Sequence, residues 1–294
     1  MPSVRVNGID LWYETTGHTD DPALLLVMGL GEQLIAWPDG FCAALAARGF
    51  HVIRFDNRDV GRSAWLDDLG VPDMLGLFGG DLSSVRYRLA DLVADTAGLI
   101  EALHLRRPHV AGVSMGGMIA QQLAIDRPDL VASLASLSST TGDPAVGQST
   151  LDDPSALMPP ADADRAAAIA ADLALWHVIG SPAYPVGDEE LTRLAAAKFD
   201  RGHHPVGTVR QLAAILATPD RTAALGRLDL PAVVIHGDAD RLIDVSGGRA
   251  TAAAIPGAEL VILPGMGHDL PEAVWPRVVD AIAANAGRAR ALSR

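Results

Sequence analysis

The hexapeptide Gly112-Val113-Ser114-Met115-Gly116-Gly117 constrains this chain more than any other feature, because of what flanks it. The apolar run Pro108-His109-Val110-Ala111 precedes it, and the helical pattern Met118-Ile119-Ala120-Gln121-Gln122-Leu123-Ala124 follows. A Gly-x-Ser-x-Gly between a strand and a helix is a nucleophile elbow, a turn so tight that small residues must flank the serine, whose hydroxyl projects from the sheet's edge. The helix start supplies unpaired N–H groups and a positive dipole end, the surroundings that an oxyanion needs. The blander alternative is a Gly-rich turn whose serine only caps the helix.

A serine of this kind needs a histidine base, and the histidine needs a carboxylate to fix its tautomer and stabilise the imidazolium. On sheets that carry the elbow these partners follow in the order Ser, Asp or Glu, His. The run Pro231-Ala232-Val233-Val234-Ile235 reads as a buried parallel strand and ends in His236-Gly237-Asp238-Ala239-Asp240. Its carboxylates therefore lie at the carboxyl end of a strand, where open α/β sheets keep their chemistry. A second run, Leu260-Val261-Ile262-Leu263, ends in Pro264-Gly265-Met266-Gly267-His268-Asp269, which puts His268 in the next loop. Asp238 and Asp240 are two apart and share one side of an extended strand end. Asp240 is the further into the loop where the histidine must arrive, which favours it, with Asp238 as the alternative acid or, otherwise, a partner of loop backbone.

Over nearly its whole length the sequence resembles the α/β-hydrolase superfamily. Within it, the chain is similar to small bacterial esterases of the type that includes the aclacinomycin methylesterases and the cofactor-free haloperoxidases. The likeness is carried by Leu26-Val27-Met28-Gly29-Leu30-Gly31, by Asp56-Asn57-Arg58-Asp59-Val60-Gly61-Arg62-Ser63, by the elbow, and by the paired Gly-Asp-Ala-Asp and Gly-Met-Gly-His segments. The resemblance implies Ser114 as nucleophile, Asp240 as acid and His268 as base. Met28 stands where many relatives carry a histidine, a change that leaves the backbone N–H donors of an oxyanion hole in place; these are assigned to Leu30 and Met115. Asp59 also departs from the commonest pattern, and the sequence offers no functional account of it.

Alternating strands and helices predict a mostly parallel eight-stranded sheet covered on both faces. Its expected parts are a hairpin around Asn7-Gly8, strands at residues 23–28, 51–55, 108–111, 130–137, 231–235 and 260–263, and helices near 35–48 and 87–103. After Ser139 the rhythm changes. Residues 142–221 read as a helical cap inserted between core segments 1–141 and 222–294, with turns at Met158-Pro159-Pro160 and an Ala-rich helix at 163–177. Such a cap roofs the site and excludes water. Trp176, Tyr184 and Phe199 are its candidate pocket residues, joined by Met28, Met266 and Leu270 from the core. Arg58 and Arg62 are read as forming structural ion pairs with Asp56 or Asp59 in preference to binding an anion.

The net charge of −13 and the lack of a basic stripe argue against nucleic acid, and mildly against an anionic substrate. Cys42 is alone and cannot staple the fold or build a thiolate metal site. His203-His204 are adjacent, so they do not face one another on a helix, and no metal or organic cofactor is expected. His236 is expected as a packed neighbour of the acid. No leader and no apolar stretch of ~18 residues is visible, which predicts a cytoplasmic protein off the membrane. Monomer and homodimer both stay open. The expected activity is hydrolysis of a neutral, apolar small-molecule carboxylic ester through an acyl-enzyme. The alternatives are a cofactor-free perhydrolase or haloperoxidase on the same residues, a C–C bond hydrolase, and a non-catalytic binding module on the same fold.

Overall fold

The computed structural model describes residues 3–152 and 163–292. Eight strands form one sheet in the order β1-β2-β4-β3-β5-β6-β7-β8. Strands β1 (Ser3–Val6) and β2 (Ile9–Thr16) make the antiparallel hairpin, and β2 pairs antiparallel with β4 (His51–Phe55). The hairpin turn has positive φ at both Asn7 and Gly8, as a two-residue type I′ turn demands. The rest, β3 (Ala23–Val27), β5 (His109–Val113), β6 (Ser133–Leu137), β7 (Ala232–Gly237) and β8 (Glu259–Leu263), pair in parallel.

The continuous apolar run of β3 is explained by its two covered faces. Leu24 and Leu26 pack with Phe41 and Leu45 of helix α1 (Asp39–Ala46) and with Val278 and Ile282 of the C-terminal helix. Leu25 and Val27 face the opposite layer, which holds Leu99 and Ile100 of α3 (Leu89–Ala102) and Ile119 and Leu123 of α4 (Met115–Asp126). Strand geometry turns successive side chains to opposite faces, so a strand buried on both sides shows no alternation in sequence.

Two expected elements are cut back and one unexpected element appears. The helix foreseen at 35–48 is a short 3-10 turn, Leu34–Ala36, followed by α1; Pro38 separates them, since it has no N–H and disfavours helical geometry before it. Strand β6 begins only at Ser133, because Leu130 N donates to Arg127 O in a turn that closes α4. A short helix, α2 (Met74–Phe78), lies where none was expected.

The insertion between β6 and β7 contains α5 (Arg165–Ile179), α6 (Asp188–Gly202) and α7 (Pro205–Leu216). The expected turn at Met158-Pro159-Pro160 lies outside the described residues. The chain returns to the sheet through α8 (Thr222–Leu225), then runs through β7, α9 (Val245–Ala254), β8 and α10 (Trp275–Leu292).

Candidate active site

Ser114 sits between β5 and α4 at φ 56° and ψ −121°, a conformation that a residue with a side chain seldom adopts. The turn holds it there because α4 presses against the end of β3: a Cβ on Gly116 would lie 2.1 Å from the Val27 carbonyl oxygen. The same closeness brings the loop after β3 to the serine, and a Cβ on Gly29 would lie 3.2 Å from Ser114 Cβ. Among the described residues the Ser114 hydroxyl and the N–H groups of Leu30 and Met115 meet no hydrogen-bond partner. Met115 opens α4, whose first N–H groups have no intrahelical acceptor.

Across the carboxyl edge of the sheet, His268 Nδ1 lies 2.7 Å from Asp240 Oδ2. With a carboxylate as its partner this nitrogen carries the proton, leaving Nε2 as an acceptor. Asp240 is itself fixed: its Oδ1 accepts from the Leu242 and Ile243 N–H groups, both at 2.9 Å. His236 Nε2 stands 3.4 Å from Asp240 Oδ2 and donates to the Ile243 carbonyl at 2.8 Å, the packed neighbour that the sequence suggested. Burial pushes the Asp240 carboxyl up, but its electrostatic and hydrogen-bonding interactions with His268 and His236 outweigh it and hold the group well below the ordinary carboxylate range. Asp238 is elsewhere, accepting from the Gly265 N–H at 2.6 Å.

Ser114 and His268 line one cavity of about 200 Å³. Met28, Leu30, Met266 and Leu270 line it from the core, and Trp176 and Phe199 from α5 and α6. Tyr184 does not. It follows α5 in a turn that carries it outward, where its hydroxyl donates to the Pro264 carbonyl and its ring packs on the layer of α1 and α10. Met115 does not line the cavity either, its side chain being wholly buried in the core layer that holds α4.

The cavity wall also holds charges that the sequence reading missed. Lys198, the sole lysine of the chain, bonds Glu32 and, at 2.9 Å, Asp172. Burial opposes its charge, but the two carboxylates overrule burial and keep the ammonium protonated. Asp59 and Asp269 line the same cavity. Of the Lys198, Glu32 and Asp172 group, the one signal in the sequence was the lone lysine in an arginine-rich chain.

The arginines pair differently from expectation. Arg58 binds Asp95 of α3 at 2.6 Å, and the Arg62 guanidinium lies over the Trp12 ring. Asp56 and Asp59 instead take arginines from the insertion, Arg201 and Arg210, both at 2.6 Å. That pairing accounts for Asp59. His203 stacks on Phe199 and His204 on Trp65, so the adjacent histidines diverge, and among the described residues no cluster of His, Cys, Asp and Glu has the makings of a metal site.

A strained serine after a strand, a carboxylate-bound histidine on the wall of the same cavity, and free N–H groups beside the serine can together move a proton and hold a developing negative charge. The family described as alpha/beta hydrolase fold matches residues 22–272. The chain belongs to this family. This alpha/beta hydrolase is 30% identical to the rhodomycin D methylesterase DnrP of Streptomyces peucetius, across 97% of the chain and 98% of that protein. In fold it is similar to the enol-lactonase of Burkholderia xenovorans LB400, with TM-score 0.74, 23% identity and 99% and 100% coverage. It is also similar to the meta-cleavage product hydrolase of Pseudomonas fluorescens IP01, with TM-score 0.76, 18% identity and 98% coverage of each chain. Among the described residues, no helix of this alpha/beta hydrolase is long and apolar enough to cross a membrane.

Proposed function

We propose that this hydrolase cleaves neutral, largely apolar carboxylic esters through an acyl-enzyme on Ser114, with residues 142–221 as the cap over the site. The observation that carries the reading is the His268–Asp240 contact at 2.7 Å on the wall of the cavity into which the elbow serine opens. His268 Nε2 takes the Ser114 hydroxyl proton as the oxygen attacks the ester carbonyl, and the N–H groups of Leu30 and Met115 donate hydrogen bonds to the carbonyl oxygen as negative charge forms on it. The imidazolium then returns the proton to the departing alcohol. Water repeats the two steps against the acyl-serine, releasing the carboxylic acid and restoring the hydroxyl.

Two features support the substrate class. Met28, Leu30, Met266, Leu270, Trp176 and Phe199 give the cavity an apolar wall, and each methylene buried there contributes about 0.8 kcal/mol. Its charged groups are mostly carboxylates, Glu32, Asp172 and Asp269 against Lys198, which disfavours an anionic acyl or alcohol part. The full-length likeness to a methylesterase supports a methyl ester on a bulky ring as one substrate.

The test is initial-rate kinetics on p-nitrophenyl esters of increasing acyl length, for the native chain and Ser114→Ala. The native chain should turn them over, and the variant should lose at least ~10³-fold while staying folded. A fluorophosphonate should label Ser114 and nothing else. Turnover surviving in Ser114→Ala, or peroxide-dependent halogenation exceeding ester hydrolysis under matched conditions, would overturn the reading.

A further inference from the structure

The loop from Met28 to Gln33 has little internal structure, yet it must hold the Leu30 N–H in register with Ser114. Within the loop only the Glu32 N–H turns back, to the Gly29 carbonyl, and the core adds Asn57, which donates to the Met28 carbonyl at 3.0 Å. The three residues after Leu30 are each held by the insertion. The Gly31 N–H donates to Gln211 Oε1 of α7 at 2.8 Å. The Glu32 carboxylate takes the Lys198 ammonium of α6. Gln33 Nε2 donates to the carbonyls of Lys198 and Gly202, at 2.8 and 2.9 Å, and Gln33 Oε1 accepts from Arg201.

The packing is equally close. Gly31 has φ 64°, and a Cβ there would lie 2.6 Å from Thr208 Oγ1 of α7. Gln211 is wholly buried and is itself pinned to the core, its Nε2 donating to the Arg58 carbonyl at 2.8 Å. Thus one side chain of the cap, anchored on the sheet's edge, receives the N–H adjacent to Leu30.

We infer that the cap helices set the oxyanion loop, with Gln211 and the Glu32–Lys198 pair as positioning residues that aim the Leu30 N–H. This inference rests on the proposed role of Leu30. It predicts that the cap contributes to the rate as well as to substrate fit. A donor displaced by about an ångström forfeits up to roughly 10²-fold in rate, because the charge it answers develops only in the transition state.

The experiment measures kcat, KM and the affinity of a phenylboronic acid, which forms a tetrahedral adduct on serine, in the full chain and in Gln211→Leu and Glu32→Ala. The Glu32 variant removes the tether while Asp172 still neutralises Lys198. In Gln211→Leu, kcat should fall about 10- to 10²-fold with KM within about 3-fold, and boronic acid affinity should fall in step with kcat/KM. Glu32→Ala should show a smaller loss of the same kind, and it decides the matter if Gln211→Leu does not fold. Arg165→Ala, which cuts the exposed Arg165–Asp200 pair between α5 and α6, should leave all three values unchanged and so separates aiming of the loop from general loosening of the cap. A rise in KM with kcat intact, or a fall in kcat with boronic acid affinity unchanged, would overturn the inference. Should Ser114→Ala remain active, the ester hydrolase reading fails instead; with Ser114→Ala dead and both loop variants at full rate, this inference alone fails.

Discussion

Replacing Asp240 by asparagine keeps the shape of the site and reverses one hydrogen bond. Asp240 Oδ1 accepts two backbone N–H groups, from Leu242 and Ile243, so an asparagine there keeps its carbonyl oxygen on that side. Flipping the amide would aim its NH2 at two donors and leave them unpaired, at about 1–3 kcal/mol for each buried group, or roughly 2–6 kcal/mol in all. The NH2 is therefore locked toward His268 Nδ1, which must become the acceptor. Nε2 then carries the proton and cannot take one from Ser114. Loss of the right tautomer should lower kcat by up to ~10⁴-fold, equivalent to roughly 5 kcal/mol of barrier. Asp238→Asn is the comparison, because its single contact, from the Gly265 N–H, survives the change, and the loss should stay under about 3-fold. Parallel initial rates on one p-nitrophenyl ester measure both. Equal losses, or an Asp240→Asn rate within about tenfold of the native one, would refute the tautomer argument.

The same aspartate predicts a pH effect on unfolding. Its folded value is depressed, so its contribution is complete above the ordinary 3.8 and fades as pH falls below that toward the folded value; chemical denaturation of native and Asp240→Asn chains should differ at pH 7 and converge in strong acid. Arg210→Met leaves Asp59 buried without its cation, and equilibrium unfolding should register a loss of about 3–5 kcal/mol. Gly116→Ala drives a Cβ into the Val27 carbonyl, and circular dichroism of the purified variant should report a misfolded or strongly destabilised chain. Esters bearing a free carboxylate should be hydrolysed at least about tenfold less efficiently than neutral esters of equal length, judged by kcat/KM, given the excess of carboxylates in the cavity wall.

What the sequence made legible was whatever depends on neighbours in the chain. The elbow, the strand ends carrying Asp240 and His268, and the Asn7-Gly8 turn are local patterns with local causes, and each lies where its pattern put it. Pro38 was visible too, and the split it makes before α1 follows from its missing N–H. Long-range pairing was not legible. Glu32 and Lys198 are 166 positions apart, Asp59 and Arg210 151, and only the docking of the insertion against the sheet decides that they meet. The same applies to Arg58, whose partner Asp95 comes from a helix beyond the next loop, and to Tyr184, whose outward direction depends on how the turn after α5 settles against Pro264.

The insertion is joined to the base side of the site as well: the His268 N–H donates to the Ile179 carbonyl at the end of α5 at 2.7 Å, and the Gly267 N–H donates to Ser181 Oγ at 2.9 Å. An insertion joined in this way to two loops of the core is not an exchangeable module. A cap transplanted from a relative would bring a new wall, but without an acceptor for the Gly31 N–H or a carbonyl for the His268 N–H it would disturb the reacting geometry beneath it. On the proposed ester-hydrolase reading, the range of esters accepted and the speed of their cleavage would be inherited together. Divergence is then easiest at single wall residues whose side chains hydrogen-bond to neither loop, such as Trp176 and Phe199, and hardest by wholesale replacement of the segment between β6 and β7.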